Sequence, residues 1–442
     1  MKLRRLMVGT ITASLLAACG SSSKTASNTT AAASGGSTTA AAATPTTAAG
    51  ATTKSIRLWL NGGDTKKELV DYAIAEFKKI HPDVDVKFER QEWTGIVEKL
   101  TTALSSSDSP DVVELGNTQA QAFEAAGALE DLTAKKADLG GDDLLQSLAE
   151  AGTYKDKFYG VPYYAGARVV LYRKDLFAKS GLQVPTTLDE FLAAGIKLKA
   201  DNAATPNFSG IYLPGKNWYA NLPFIWVEGG DIATLSGDSW TGELASTQSL
   251  KGLQFSKDVM DKANAAPKDG DDAKDYIAFC HGEVGMMPAP GWKPGQIIND
   301  KDGCPTMKDN IGAFALPGLT AGTTSPAFLG GSNIAVSAKS DNKDLAYDLV
   351  KVLVSKGFQQ QFAASGTIPA LKSLLDSVSG DDAAKAQAIA AKNSRFVPSS
   401  ENWAGVEAST VLPDLFVAIA QGGDISTEAK KADDAIESKL NS

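Results

Sequence analysis

Three short apolar runs set the pattern of the chain: Ser55–Leu60 (SIRLWL), Asp85–Arg90 (DVKFER) and Asp111–Leu115 (DVVEL). Each is followed by a polar turn and then by a stretch with helical spacing. The first closes in Asn61-Gly62-Gly63-Asp64 and leads into Thr65–Ile80, where Leu69, Tyr72, Ala73, Phe77 and Ile80 fall at helical intervals. The second ends in Gln91-Glu92-Trp93 ahead of Ile96, Val97, Leu100 and Leu104. The third, introduced by Ser109-Pro110, ends in Gly116-Asn117-Thr118-Gln119. Strands that alternate with helices need crossover connections and pair in parallel, so the spacing predicts an α/β fold with a mostly parallel sheet flanked by helices. Ligands of such sheets gather outside the carboxyl ends of the strands. Here those ends carry groups that hydrogen-bond or stack.

Further along, Arg168–Arg173 (RVVLYR), Ile311–Leu316 and Asn333–Ser337 read as strands, and Lys343–Leu353 as a helix. Thr187-Leu188-Asp189-Glu190, ahead of Phe191 and Leu192, fits a capping box and predicts a helix start.

The N-terminus carries an address. A charged MKLRR precedes an apolar run from Leu6 to Ala18, which reads as a signal peptide over residues 1–18. At about 20 Å of helix it is too short for a hydrocarbon core of about 30 Å. Its ending, Leu16-Ala17-Ala18-Cys19, resembles the bacterial lipobox, which makes Cys19 the lipidated mature N-terminus; a plain secretion signal is the alternative. Two acyl chains suffice for stable anchoring. Residues 19–53 are almost wholly Ser, Thr, Ala, Gly and Asn, too poor in apolar surface to offset chain entropy, and are expected to form a flexible tether. With Cys19 consumed, Cys280 and Cys304 are an even pair. An oxidising envelope favours one disulfide between them, two buried thiols being the alternative.

Several function classes fall away. The formal net charge is −9, and no Lys/Arg stripe with interleaved aromatics offers a footprint for nucleic acid. The only histidines are His81 and His281; Cys280-His281 is an isolated pair outside any HExxH or CxxC spacing, so neither a metal nor a cofactor is expected. His81, in the turn Ile80-His81-Pro82, is expected to be solvated. No G-x-S-x-G elbow is present. A two-carboxylate glycosidase stays open as the enzyme alternative, because its geometry is not legible among 52 acids.

The phrases HPDVDVKFERQEWTGIVEKL, SPDVVELGNTQ, KFYGVPYYAGARVVLYRKDLF, FIWVEGGD and FLGGSNIAV resemble the family 1 extracellular solute-binding proteins of ABC sugar importers, from about Lys54 to the C-terminus. Within that family QEW, GNTQ and the Tyr-Tyr-Ala-x-x-Arg-Val-Val segment are most similar to the chitobiose-type oligosaccharide-binding lipoproteins of actinobacteria. The resemblance implies a two-lobe periplasmic-binding-protein-like fold (type II) with three hinge crossovers. Matched onto this chain, residues 54–163 plus 330–378 form one lobe and 164–329 plus 379–442 the other, closing on a ligand by a hinge. It also implies a monomer on the outer face of the cytoplasmic membrane that hands an oligosaccharide to an ABC permease with a cytoplasmic ATPase. A non-transport scaffold or signalling lipoprotein on the same fold is a further alternative. Phe279-Cys280-His281-Gly282 departs from the family phrase, which usually has no cysteine there.

A pyranose offers an apolar C–H face and a rim of hydroxyls, so its binder needs aromatic faces and planar hydrogen-bonding groups. Stacking candidates are Trp93, directly after a strand, Trp292, in a Pro-Gly loop, and Trp218, Trp226 and Trp403; Trp226 also reads as part of a core run. Trp59, inside a strand, is expected in the core. Polar candidates at strand ends are Asn61, Asp64, Asn117 and Gln119, of which Asn61 and Asp64 equally suit ordinary turn and capping roles. Tyr163 and Arg168 stand at the presumed hinge, where an ion-paired arginine is the alternative. Gly331, Ser332 and Asn333 offer backbone N–H groups at close approach.

Overall fold

A computed structural model describes residues 54–442. The signal peptide, Cys19 and the tether lie outside the described residues. The chain begins with β1 (Lys54–Asn61), α1 (Lys67–Ile80), β2 (Val84–Gln91), α2 (Ile96–Ser105), β3 (Val112–Gly116) and α3 (Asn117–Ala125). As the spacing predicts, β1 pairs in parallel with both β2 and β3. The apolar stripe of α1 buries Val70, Ala73 and Phe77. The helix ends at His81, whose imidazole Nε2 stands 2.8 Å from an Asp348 carboxylate oxygen. His81 is therefore half-buried and paired rather than solvated, a correction that comes from a residue far along the chain.

The next strand, β4 (Val161–Arg173), starts well upstream of the RVVLYR run and is thirteen residues long. It is followed by α4 (Leu188–Asp201), β5 (Ser209–Ile211), α5 (Trp218–Val227), α6 (Thr247–Lys262), β6 (Val284–Pro290), β7 (Ile311–Phe314) and β8 (Ala327–Val336). Helices α7 (Lys343–Leu353), α8 (Lys356–Ala364), α9 (Asp382–Ala391), α10 (Val411–Ala420) and α11 (Ile425–Leu440) complete the chain. The cap on α4 forms as expected, with Thr187 Oγ1 accepting from the Glu190 N–H at 3.2 Å, and α7 has the predicted limits.

One sheet runs through the molecule in the order β2-β1-β3-β8-β4-β6-β5, with β7 also on β4. Ladders are parallel where βα units supply the strands and antiparallel where the two long strands cross: β8 to β3, β8 to β4, and β4 to β6 and β7. The upstream half of β4 thus pairs with β8 and the downstream half with β6 and β7.

The core is divided accordingly. One cluster packs Ile56, Leu58, Phe77, Tyr163, Leu349, Phe358 and Phe362 on the sheet side that begins the chain. Another packs Phe191, Leu198, Phe224, Trp226, Leu253, Trp403, Phe416 and Ile436 at the opposite end. Between them, on the crossing strands, lies a thinner layer rich in small residues, with Ala165, Ala167, Ala327 and Leu329. Burying a large apolar side chain stabilises by about 1.5 to 3 kcal/mol, so the two ends hold most of that stabilisation. Trp59 is buried as expected. A disulfide joins Cys280 and Cys304, Cα atoms 5.5 Å apart.

Candidate ligand-binding site

A cavity of about 760 Å³ opens over the crossing strands, within the range of roughly 300 to 1,000 Å³ typical of small-molecule sites. Its floor is formed by residues 164–168 of β4 with Phe328 and residues 330–332 of β8. One wall carries Asp64 and Trp93, from the loops after β1 and β2; the other carries Tyr219, Asp272 and Trp292.

The first wall is shaped by the loop after β1. Gly62 has φ +56°, and a Cβ there would lie 2.5 Å from Trp93 Nε1, so only glycine lets the indole rest on this turn. Trp93 Nε1 donates to Asp64 Oδ2 at 3.1 Å, fixing the edge of a half-buried ring. On the second wall, Tyr219 stacks on Trp218 with ring centroids 3.7 Å apart, and its hydroxyl donates to a Glu407 carboxylate oxygen. The Arg168 guanidinium lies 5.4 Å from the Tyr219 ring centre and donates to Asp272 Oδ2 at 3.0 Å. Its other terminal nitrogen, Nη1, is buried with no partner among the described residues. Trp292 is 65% exposed, a costly position for an indole that has nothing to cover.

Beneath the floor, Tyr164 donates its hydroxyl proton to Glu114 Oε1 at 3.1 Å, and the Asn61 N–H donates to Glu114 Oε2 at 2.8 Å. Burial pushes the Glu114 carboxyl up to about 7, against the pull of the Ser332 hydroxyl and these two donors. Gly331, at φ +141°, sits so close that a Cβ would be 2.3 Å from the Tyr164 carbonyl oxygen.

Of the sequence candidates, Asp64, Trp93, Arg168, Trp292, Gly331 and Ser332 come together on this cavity. Gln119 sits beside it: its Oε1 and the Trp93 ring both lie within 4 Å of the Cβ position of Gly116. The rest are placed elsewhere, each for a local reason. The Asn61 side chain is buried and donates to the Glu114 carbonyl at 2.9 Å, and that of Asn117 to the Leu329 carbonyl at 2.8 Å. The Asn333 amide donates to the carbonyls of Leu148 and Gly160. Tyr163 is fully buried, its hydroxyl 3.0 Å from Thr65 Oγ1. Trp218, Trp226 and Trp403 all lie in the core; Trp226 donates to Asp231, and Trp218 serves the cavity only as backing for Tyr219. Cavity residues the sequence reading missed include Tyr164, Tyr219, Asp272, Lys293, Phe328 and Gln387. Tyr164 and Tyr219 each adjoin a named candidate, so the signal was present one residue away; Gln387, in a late helix, gave none.

Aromatic faces on facing walls, polar groups held in place between them, and a floor shared by two packed α/β units define a binding protein built around a cleft. Residues 62–360 match the family described as bacterial extracellular solute-binding protein, and the chain belongs to that family, whose members bind solutes rather than transform them. It is 32% identical over 401 residues to the diacetylchitobiose binding protein DasA of Streptomyces coelicolor, covering 88% of this chain and 91% of that one. It is 27% identical over 311 residues to the multiple sugar-binding protein of Streptococcus mutans, covering 68% and 71%. Among solved structures, the sugar-binding protein MalE from Xanthomonas citri shares the fold at a TM-score of 0.76 and 23% identity, over 88% of this chain and 97% of that one.

Proposed function

We propose that this chain is the lipid-anchored extracytoplasmic receptor of an ABC importer and captures a neutral oligosaccharide, of N,N′-diacetylchitobiose type, in the cleft. The observation that carries the reading is that Trp93, Tyr219 and Trp292, from different ends of the sheet, line one cavity whose two cationic side chains, Arg168 and Lys293, are already paired with Asp272 and Asp275. Asp64 accepts from Trp93, and Asp272 accepts from Arg168. An anionic ligand would face Asp64 and would have to draw Arg168 away from Asp272. An uncharged sugar needs only the aromatic faces and a few donors, such as Arg168 Nη1, for its hydroxyl or acetamido oxygens. The likeness to DasA supports the sugar class.

The division into lobes at 54–163 plus 330–378 and 164–329 plus 379–442 belongs to this reading. It is supported by the two large cores, which fall almost wholly on either side of those limits. Closure then bends the crossing strands and brings Trp93 toward Trp292. Cys19 supplies the anchor, the tether sets the reach, and a permease with its ATPase receives the sugar from the monomeric receptor.

Titration of intrinsic tryptophan fluorescence with chitobiose, maltose, trehalose, cellobiose and xylobiose, and with a glycerophosphodiester as control, tests the cargo. Saturable binding of one sugar at micromolar concentration or below, with no product after overnight incubation, is the expected result. Silence across the sugars would sink the sugar reading, and release of monosaccharide would return weight to a glycosidase. Metabolic labelling with a fatty-acid analogue, abolished in Cys19→Ala, tests the anchor.

A further inference from the structure

The wall that presents Trp292 is fastened at both ends. A short helix, Asp275–Cys280, follows the cavity residue Asp272, and a second, Lys293–Ile297, follows Trp292; the two pack against each other. At the cavity end, Lys293 Nζ lies 2.7 Å from Asp275 Oδ1, with both side chains buried. The same ammonium donates to the Asp272 carbonyl at 3.0 Å. At the far end the Cys280–Cys304 disulfide closes the pair, and the Cys304 N–H donates to the Ile297 carbonyl at 2.6 Å. A buried ion pair contributes little net stability compared with apolar residues of the same shape, whereas it does fix one geometry among several.

We infer that the Lys293–Asp275 pair and the Cys280–Cys304 disulfide form a brace that presets the ligand-facing wall, with Lys293 as a positioning residue. Lys293 ties the main chain at Asp272 to the residue next to Trp292. Through the Asp272 carboxylate it also holds Arg168 over Tyr219. Side chains ordered in advance need not be ordered by the ligand, and affinity rises by that difference. The inference rests on the reading of the cleft as a ligand site and adds what keeps its second wall in shape.

Two variants of the mature protein test it: Cys280→Ser with Cys304→Ser, and Lys293→Met. Should either fail to fold, the other still decides. Hydrogen exchange read by mass spectrometry on the ligand-free protein is expected to speed up in residues 271–275 and 289–298 while peptides of β1 to β3 stay unchanged. Affinity for N,N′-diacetylchitobiose is expected to fall about tenfold, the loss of preordering in one or two side chains. Unchanged exchange in those two segments, or a lower melting temperature with undiminished affinity, would overturn the brace. If the unmodified protein binds none of the sugars, the sugar reading fails, and the exchange result alone decides the brace.

Discussion

Glu124 lies on α3 with 2% of its surface exposed, and neither carboxylate oxygen has a hydrogen-bond partner among the described residues. Burial alone pushes its carboxyl from an ordinary 4.5 up to about 8. The native state therefore keeps a proton that the unfolded chain releases near pH 4.5. Between those two values the native state binds more protons, so the stability supplied by the neutral acid is fully present below about pH 4.5 and is lost progressively up to about pH 8. At about 1.4 kcal/mol per pH unit, the interval amounts to on the order of 5 kcal/mol. Glu124→Gln keeps the shape and removes the titration. Urea denaturation of both proteins at pH 5, 6, 7 and 8 isolates the effect, because every other group, Glu114 included, cancels in the difference. The variant is expected to gain on the parent steadily as pH rises, by several kcal/mol over the series. Parallel stability profiles would refute the reasoning and mean that the carboxylate ionises in place with a partner.

Trp93→Ala and Trp292→Ala are expected to weaken sugar binding by about 1 to 3 kcal/mol, with the melting temperature nearly unchanged for the exposed Trp292. Trp226→Ala or Trp403→Ala, by contrast, should cost about 3 to 5 kcal/mol of stability in a denaturant titration, as removal of a core aromatic does. Gly331→Ala places a Cβ against the Tyr164 carbonyl at a backbone angle that disfavours it; a lowered melting temperature together with weakened binding is the expected result, since the strain falls on the cleft floor. Residues 54–442 alone are expected to bind sugar as tightly as the mature chain, measured by the same fluorescence titration; a markedly weaker complex would place part of the site in the tether.

The βα units at the start of the chain were legible because periodicity, turn chemistry and capping agree there: SIRLWL and DVVEL become β1 and β3, and Thr187 caps α4. What sequence could not supply was phase. Tyr163 and Tyr164 sit on successive positions of β4 where its pairing with β8 shifts register, so their rings lie 5.4 Å apart and both meet Phe362, yet only Tyr164 reaches the cavity; the strand signal does not reveal that shift. Trp218 and Tyr219 pose the same problem on a helix: one residue of rotation sends the tryptophan to the core and the tyrosine to the wall. The start of β4 was hidden by Pro162 and Gly166, which read as loop residues locally and are tolerated because neighbouring strands on both sides complete the ladder. Pairs such as His81 with Asp348 or Arg168 with Asp272 depend on segments distant in the chain, which no local pattern encodes.

The long strand β4 runs from one core to the other, paired along its length except for a single register shift at Tyr163. A molecule joined this way flexes like a leaf spring rather than swinging on a loose string. Under the closure proposed above, its middle, thinly packed with alanines, is the pivot and moves least, while the loops bearing Trp93 and Trp292 travel furthest. A sugar arriving in the open cleft therefore meets a bed of Tyr164 and Arg168 that is already in place. In that proposed closure the two indoles come together only afterwards, and the bent ladder keeps a recoil that can reopen the cleft.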